Sequence, residues 1–373
     1  METSRPLRIA VVSTQKQLHG GERQALLLAE GLRAVGHDCR ILVRQGSGLA
    51  SELRRRGLPM ETFLGRGRNP FSLWKLRRFI SEFRPDVLHY NDSHAITSAG
   101  IATSGLVVPC RIAARRVDFP LRSPGRVRHF ADGVICVSTA TAERCQAAGL
   151  AANQLFVVHD GIDQDLAASG NREKGRAALG LSDSVPMILV VGKLTDCKGH
   201  SYLLDALPKI RQAFPSVRTF FAGDGHLEAE LRTEIQRRQL DACVTMLGFR
   251  TDVPDLMAAA DVLAVPSHTE GLCSSIIDAL IAECPVVATD CGGIPDVLTP
   301  AELDQPCGVL VKTRDATALA DGIIQTLADQ PAAIQRARAG RQVAERNFTK
   351  QKMVERTLAV YQQLLGTQAR RAA

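Results

Sequence analysis

The sequence predicts an α/β protein made of two successive Rossmann-like domains. Three observations carry this expectation. Short β-branched runs alternate with apolar residues on a helical period along the whole chain. The rhythm breaks once, in a small polar stretch at 164–184. The length, 373 residues, suits two domains of ~100–200 residues rather than one.

Taken in order, 7–13 is apolar and β-branched, a first strand rather than a secretory leader. Residues 22–35 repeat Leu26, Leu27, Ala29 and Leu32 at helical spacing. A second strand at 39–43 and a short helix at 51–56 follow. Residues 71–83 form an amphipathic helix with Leu73, Leu76, Phe79 and Ile80 on one face. Its Trp74, the lone tryptophan, is expected to pack on the first sheet. Arg54-Arg55-Arg56, Arg66, Arg68, Arg77 and Arg78 are left to meet anionic lipid. Strands at 87–90, 111–114, 133–137 and 156–159 close the first series. After a helix at 172–179, the second series has strands at 187–191, 219–222, 244–247, 262–265, 286–288 and 308–311. Its helices are 202–214, 227–239 and 274–282. A helix at 349–365 leads to Gly366 and a basic tail. In open sheets of this kind ligands bind at the strand C-termini, so the two domains should share a cleft.

No run approaches ~20 unbroken apolar residues, so no membrane-spanning helix is expected. The net charge of +7 is lopsided. Residues 1–130 hold 22 Lys and Arg against 10 Asp and Glu, and the remainder 24 against 29. The first half is suited to an anionic partner: nucleic acid, lipid or a phosphorylated substrate. Aromatic residues are 4% of the chain, few for nucleic-acid stacking. The ten cysteines form no Cys-x-x-Cys pair, which argues against a zinc ribbon and for buried, reduced thiols.

Four places carry chemistry. Glu270-Gly271-Leu272-Cys273-Ser274 joins a strand to a helix and offers free backbone N–H groups, with Asp278 two turns on. Thr269 or Glu270 as a simple helix cap is the plainer reading. Gly192-Lys193 with Lys198 places two cations after a strand, where a diphosphate could sit. Gly20-Gly21 precedes the first helix and frees backbone N–H groups, without being Gly-x-Gly-x-x-Gly. Gly223-Asp224-Gly225 and Gly292-Gly293 add glycine turns to the second half.

In this order the motifs resemble those of the family 4 retaining glycosyltransferases of GT-B fold. The matching segments are Gly20-Gly21-Glu22, Ala131-Asp132 with Ser138, Asp160-Gly161-Ile162-Asp163, Gly192-Lys193 with Lys198-Gly199, Glu270 with Asp278, and Gly292-Gly293. The resemblance covers nearly the whole chain. It implies an acceptor-side domain at 1–165, a nucleotide-sugar domain at 166–348, and a helix and tail at 349–373 packing on the first domain. Lys193 and Lys198 would neutralise the leaving diphosphate, without a metal or other cofactor. Gly192, Gly271, Leu272, Cys273 and Ser274 would hold phosphate and sugar, Glu270 the sugar hydroxyls and Asp278 the ribose. Backbone near Gly248 and Arg250 would meet the base. Gly20, Gly21, His94, Arg116 and Asp118 would line the acceptor side.

Two departures stand out. Asp160 replaces the family's usual Asn, and Arg115-Arg116 stand where many relatives carry a histidine. Arg116 and Asp118 are then acceptor or leaving-group contacts, or a surface ion pair. The resemblance implies a cytoplasmic, metal-independent hexosyltransferase acting in lipopolysaccharide or other cell-envelope biosynthesis. It would touch the inner membrane peripherally and bind no nucleic acid. An epimerase of the same fold and a non-catalytic nucleotide-sugar-binding protein are the alternatives.

Overall fold

A computed structural model describes residues 5–372, with side chains through residue 367. The chain divides into two compact units. Unit 1 is Met1–Gly161 with Lys350–Ala373, and unit 2 is Ile162–Thr349. The expected breaks at 165/166 and 348/349 therefore shift slightly. Gly161 is held in unit 1 by Gln24, whose Nε2 donates to the Gly161 carbonyl at 2.9 Å. Ile162 is held in unit 2 by a parallel bridge to Thr349.

Unit 1 has seven parallel strands: β1 (Arg8–Ser13), β2 (Asp38–Arg44), β3 (Met60–Phe63), β4 (Val87–Tyr90), β5 (Cys110–Arg115), β6 (Gly133–Cys136) and β7 (Leu155–Val157). Their order is β3-β2-β1-β4-β5-β6-β7, so the winding reverses between β1 and β4. Alternation along β1 feeds two cores. Ile9 and Val11 join Leu28 and Leu32 of the Gly20–Ala34 helix, together with Met353 and Tyr361 of the C-terminal helix Lys350–Ala372. Ala10 and Val12 join Leu76 and Ile80 of the Pro70–Phe83 helix and Ala95 of the Ser93–Ala102 helix. The C-terminal helix runs on through Gly366, beyond its expected end.

Unit 2 has β8 (Met187–Val191), β9 (Arg218–Ala222), β10 (Val244–Gly248), β11 (Val262–Val265), β12 (Val286–Thr289) and β13 (Val309–Val311). They are ordered β10-β9-β8-β11-β12-β13, all parallel, with the reversal between β8 and β11. Both sheets are doubly wound, and the point of reversal is where such sheets bind ligands.

Sequence reading missed β3, a short strand of mixed burial. It also misplaced Trp74. The Pro70–Phe83 helix buries Ser72, Leu76, Ile80 and Phe83, and Trp74 lies on the other side, 53% exposed.

The C-terminal helix is tied to the sheet by a buried polar contact. His89 of β4 and Tyr361 are both enclosed, with Nδ1 and Oη 2.7 Å apart. Burial, aided by Arg116, pushes the His89 pKa down to about 3, so the ring is neutral and shares one hydrogen bond with the Tyr361 hydroxyl. Stability owed to the neutral ring is complete above its ordinary pKa of ~6.5 and is lost as pH falls from there toward 3. Acid titration followed by urea denaturation should show this loss. Tyr361→Phe orphans a buried nitrogen, and the urea midpoint should fall by an amount equivalent to about 1–3 kcal/mol.

Candidate functional site

In unit 2 the site grows from the ends of β8 and β11. Past β8 the chain makes a short turn at Asp196–Lys198 and enters the His200–Ala213 helix through Gly199, whose φ is 64°. An added Cβ at Gly199 would lie 2.0 Å from the Pro266 carbonyl oxygen, so only glycine lets the two loops meet there. The His268 N–H donates to the Cys197 carbonyl at 2.9 Å and ties them again. The result is an ion pair. Lys198 Nζ lies 2.5 Å from Glu270 Oε1, and Ser267 Oγ donates to the same oxygen at 2.7 Å.

Burial works against the Lys198 charge, but the Glu270 carboxylate outweighs it and the amine's pKa ends raised. Lys198 is therefore a fixed cation across the physiological range. Beside it, Gly192, Lys198, Ser267 and Cys273 line one small cavity. His200 also lines it, its pKa pushed down to about 4 by burial and Lys198, hence neutral.

Glu270 is supported from behind. Gly292 has φ of 54°, and a Cβ there would lie 1.8 Å from the Glu270 carbonyl oxygen. The Ser274–Ile281 helix is capped neither by Thr269 nor by Glu270. Its N-cap is Cys273, in the left-handed region at φ 71°. That frees the Glu270 carboxylate for other work. Burial pushes the Cys273 thiol up to about 12, so it is no nucleophile. Gly271 and Leu272 lead into this cap, and Ser274 is exposed on the first turn. Asp278, one turn on, is half-buried on the same helix; Lys193, in the loop after β8 next to Gly192, is half-buried as well.

Gly248 ends β10 with φ 65°. Arg250 is engaged by its neighbour Asp252, with Nε–Oδ1 at 2.8 Å.

Unit 1 gathers part of its expected set. Gly20 and Gly21 open the Gly20–Ala34 helix, where Glu22 Oε2 accepts from the His19 N–H at 3.1 Å. Asn91, just past β4, donates from Nδ2 to the Gly21 carbonyl at 3.2 Å. Arg116 lies against Gly21 and is paired with Asp160. Their side chains are only 11% and 13% exposed. Burial pushes the Asp160 carboxyl up and Arg116 pulls against it.

Arg116 and Asp118 are thus not partners of each other. Asp118 is buried and bonded to Arg144. His94 lies on the Ser93–Ala102 helix, capped by Asp92, with Nδ1 2.9 Å from Arg68. Burial and the neighbouring arginines lower its pKa against the pull of Asp92. Sequence reading missed Ser267 and the Arg116–Asp160 pairing. The Asp for Asn replacement signalled the second, but its partner lies 44 positions away.

A family model described as Glycosyltransferase Family 4 matches residues 18–166, and one described as Glycosyl transferases group 1 matches 171–346. Each doubly wound unit thus corresponds to one half of a GT-B glycosyltransferase, and the chain belongs to glycosyltransferase family 4. It is 32% identical over 194 residues to a D-inositol 3-phosphate glycosyltransferase of Mycolicibacterium smegmatis, covering 50% of this chain and 43% of that protein. It is 30% identical over 200 residues to a GDP-mannose-dependent monoacylated phosphatidylinositol monomannoside mannosyltransferase of Corynebacterium glutamicum, covering 50% of each. The chain spans about half the length of these curated relatives. A crystal structure of Anabaena HepE in complex with UDP matches with a TM-score of 0.83 at 23% identity, over 96% of this chain and 100% of that one.

Two glycines separate structural from permissive roles. Gly292→Ala should lower the thermal midpoint by the equivalent of roughly 1–3 kcal/mol, because a side chain meets backbone at a positive φ. Gly20→Ala meets nothing within 4 Å, and its stability should stay within about 1 kcal/mol of the parent in the same scan.

Proposed function

We propose that the chain is a retaining, metal-independent glycosyltransferase. It takes a sugar from a nucleotide-diphosphate donor and passes it to an anionic or lipid-linked cell-envelope glycan, lipopolysaccharide-like. The Lys198–Glu270 pair at the reversal point of the unit 2 sheet carries this reading. Lys198, with Lys193, offsets the charge that builds on the departing diphosphate. The N–H groups at 271–274 hold phosphate and sugar oxygens. Glu270 Oε1 is used by Lys198 and Ser267, and Oε2 is the oxygen for a donor hydroxyl. Asp278 takes the ribose, and backbone at Gly248 takes the base.

The acceptor oxygen attacks the anomeric carbon on the face from which the diphosphate leaves. Its proton passes to a phosphate oxygen of the leaving group. The products are the glycoside and a nucleoside diphosphate, and no protein base or cofactor takes part. The relatives' names support both substrates. One carries an inositol phosphate acceptor, one a lipid-linked acceptor, and the HepE structure binds UDP. The basic composition of residues 1–130 suits such an acceptor.

A second reading, a nucleotide-sugar binder without activity, draws on Arg116. The residue that stands near the family's histidine is locked to Asp160.

A thermal-shift series with UDP-, GDP-, ADP- and TDP-sugars should show one donor raising the midpoint. With that donor, Lys198→Ala should lower kcat by about 10²–10³-fold, as removal of a preplaced charge donor does. Glu270→Ala should abolish transfer, and transfer at the parental rate would overturn the assignment. Donor incubated alone should be recovered unchanged. A new free sugar would point to epimerisation.

A further inference from the structure

The outer side of the Pro70–Phe83 helix leaves two large aromatic side chains exposed among the described residues. Phe71 is 57% exposed and Trp74 53%, with ring centroids 5.9 Å apart. Arg78 lies over the Trp74 ring at 5.5 Å. The preceding loop is fixed against the helix's first turn. Asn69 Oδ1 accepts from the Ser72 N–H at 2.8 Å, and Ser72 Oγ donates to the Leu64 carbonyl at 2.9 Å. This holds Leu64, 47% exposed, against the helix's first turn, and Arg66 and Arg68 stand exposed in the same loop, Arg68 with a guanidinium nitrogen 2.9 Å from His94 Nδ1. Between Leu64 and Glu82 there are five Lys and Arg and one carboxylate.

An apolar patch costs free energy in water and persists where something covers it. The pattern here is specific: two large aromatics and a leucine standing out among arginines. Aromatic rings with one wet edge settle at the boundary between headgroups and acyl chains. Arginines around them meet lipid phosphate. A second copy of the chain would set arginine against arginine.

We propose that this face docks on an anionic lipid bilayer, with Phe71, Trp74 and Leu64 entering the interface and Arg66, Arg68 and Arg78 on the headgroups. It deepens the expected membrane contact and does not depend on which donor unit 2 binds.

The lone tryptophan makes the test local. The whole chain is titrated with vesicles of phosphatidylcholine holding about 30% phosphatidylglycerol, and with phosphatidylcholine alone. Trp74 emission should shift to the blue with the anionic vesicles only, and the shift should vanish at about 1 M salt. Brominated acyl chains should quench it. In co-sedimentation, Phe71→Ala with Trp74→Ala, and separately Arg66→Glu with Arg68→Glu and Arg78→Glu, should each weaken binding at least ~10-fold. All these positions are exposed, and far-UV circular dichroism with the thermal shift by the donor found in the nucleotide-sugar series should match the parent. A parent that no donor of the nucleotide-sugar series shifts, binding vesicles normally, would count against the donor reading alone. Absence of vesicle binding, co-sedimentation with Trp74 emission unmoved, or a concentration-dependent dimer that moves Trp74 emission without lipid would overturn the proposal.

Discussion

The site in unit 2 depends on backbone packed against backbone. The Pro266 carbonyl rests on Gly199, and the Glu270 carbonyl rests on Gly292. These contacts leave no room for a side chain, and they fix where Lys198 and Glu270 meet. The pair is held by the loops, with Ser267 taking up the shared oxygen. A mostly buried ion pair adds little net stability, because desolvation offsets its attraction. Its value lies in placement. A charge held in position before reaction needs no reorganisation when charge develops on a substrate.

Arg116 and Asp160 follow a different logic. Each departs from the family pattern, and each is the other's partner. Either change alone would leave a mostly buried charge unpaired, a loss of about 3–5 kcal/mol by the usual measure. Together they are self-consistent. The pair also reaches beyond itself, since Arg116 helps to keep His89 neutral and so supports the contact to Tyr361. One residue pair beside Gly21 is thereby coupled to the seating of the C-terminal helix.

Much of this was readable from the chain. Parallel strands buried on both faces appear as unbroken apolar runs, so β1, β8, β11 and β12 stand out at once. Gly192, Lys198 and Glu270 were legible because each follows such a strand. What escaped was set by contacts between distant positions. β3 is short and mixed in burial, so its period is weak. Trp74 lies opposite the buried stripe of its helix, a phase that only packing decides. The N-cap at Cys273 was hidden because its left-handed backbone has no residue signature of the kind glycine gives. The partners of Arg116 and Asp118, 44 and 26 positions away, carry no local trace.

The placement of the C-terminal helix has a consequence for synthesis. Unit 1 is discontinuous: unit 2 is inserted between β7 and the helix that covers one face of the first sheet. On the ribosome, the domain made first is thus the last to be completed. Until Tyr361 arrives, Ile9, Val11 and their neighbours lack part of their cover, while unit 2 already has all of its strands. Exposed sheet surface of this kind is what chaperones bind and aggregates share. The last two dozen residues therefore act as a latch on a domain begun more than three hundred residues earlier.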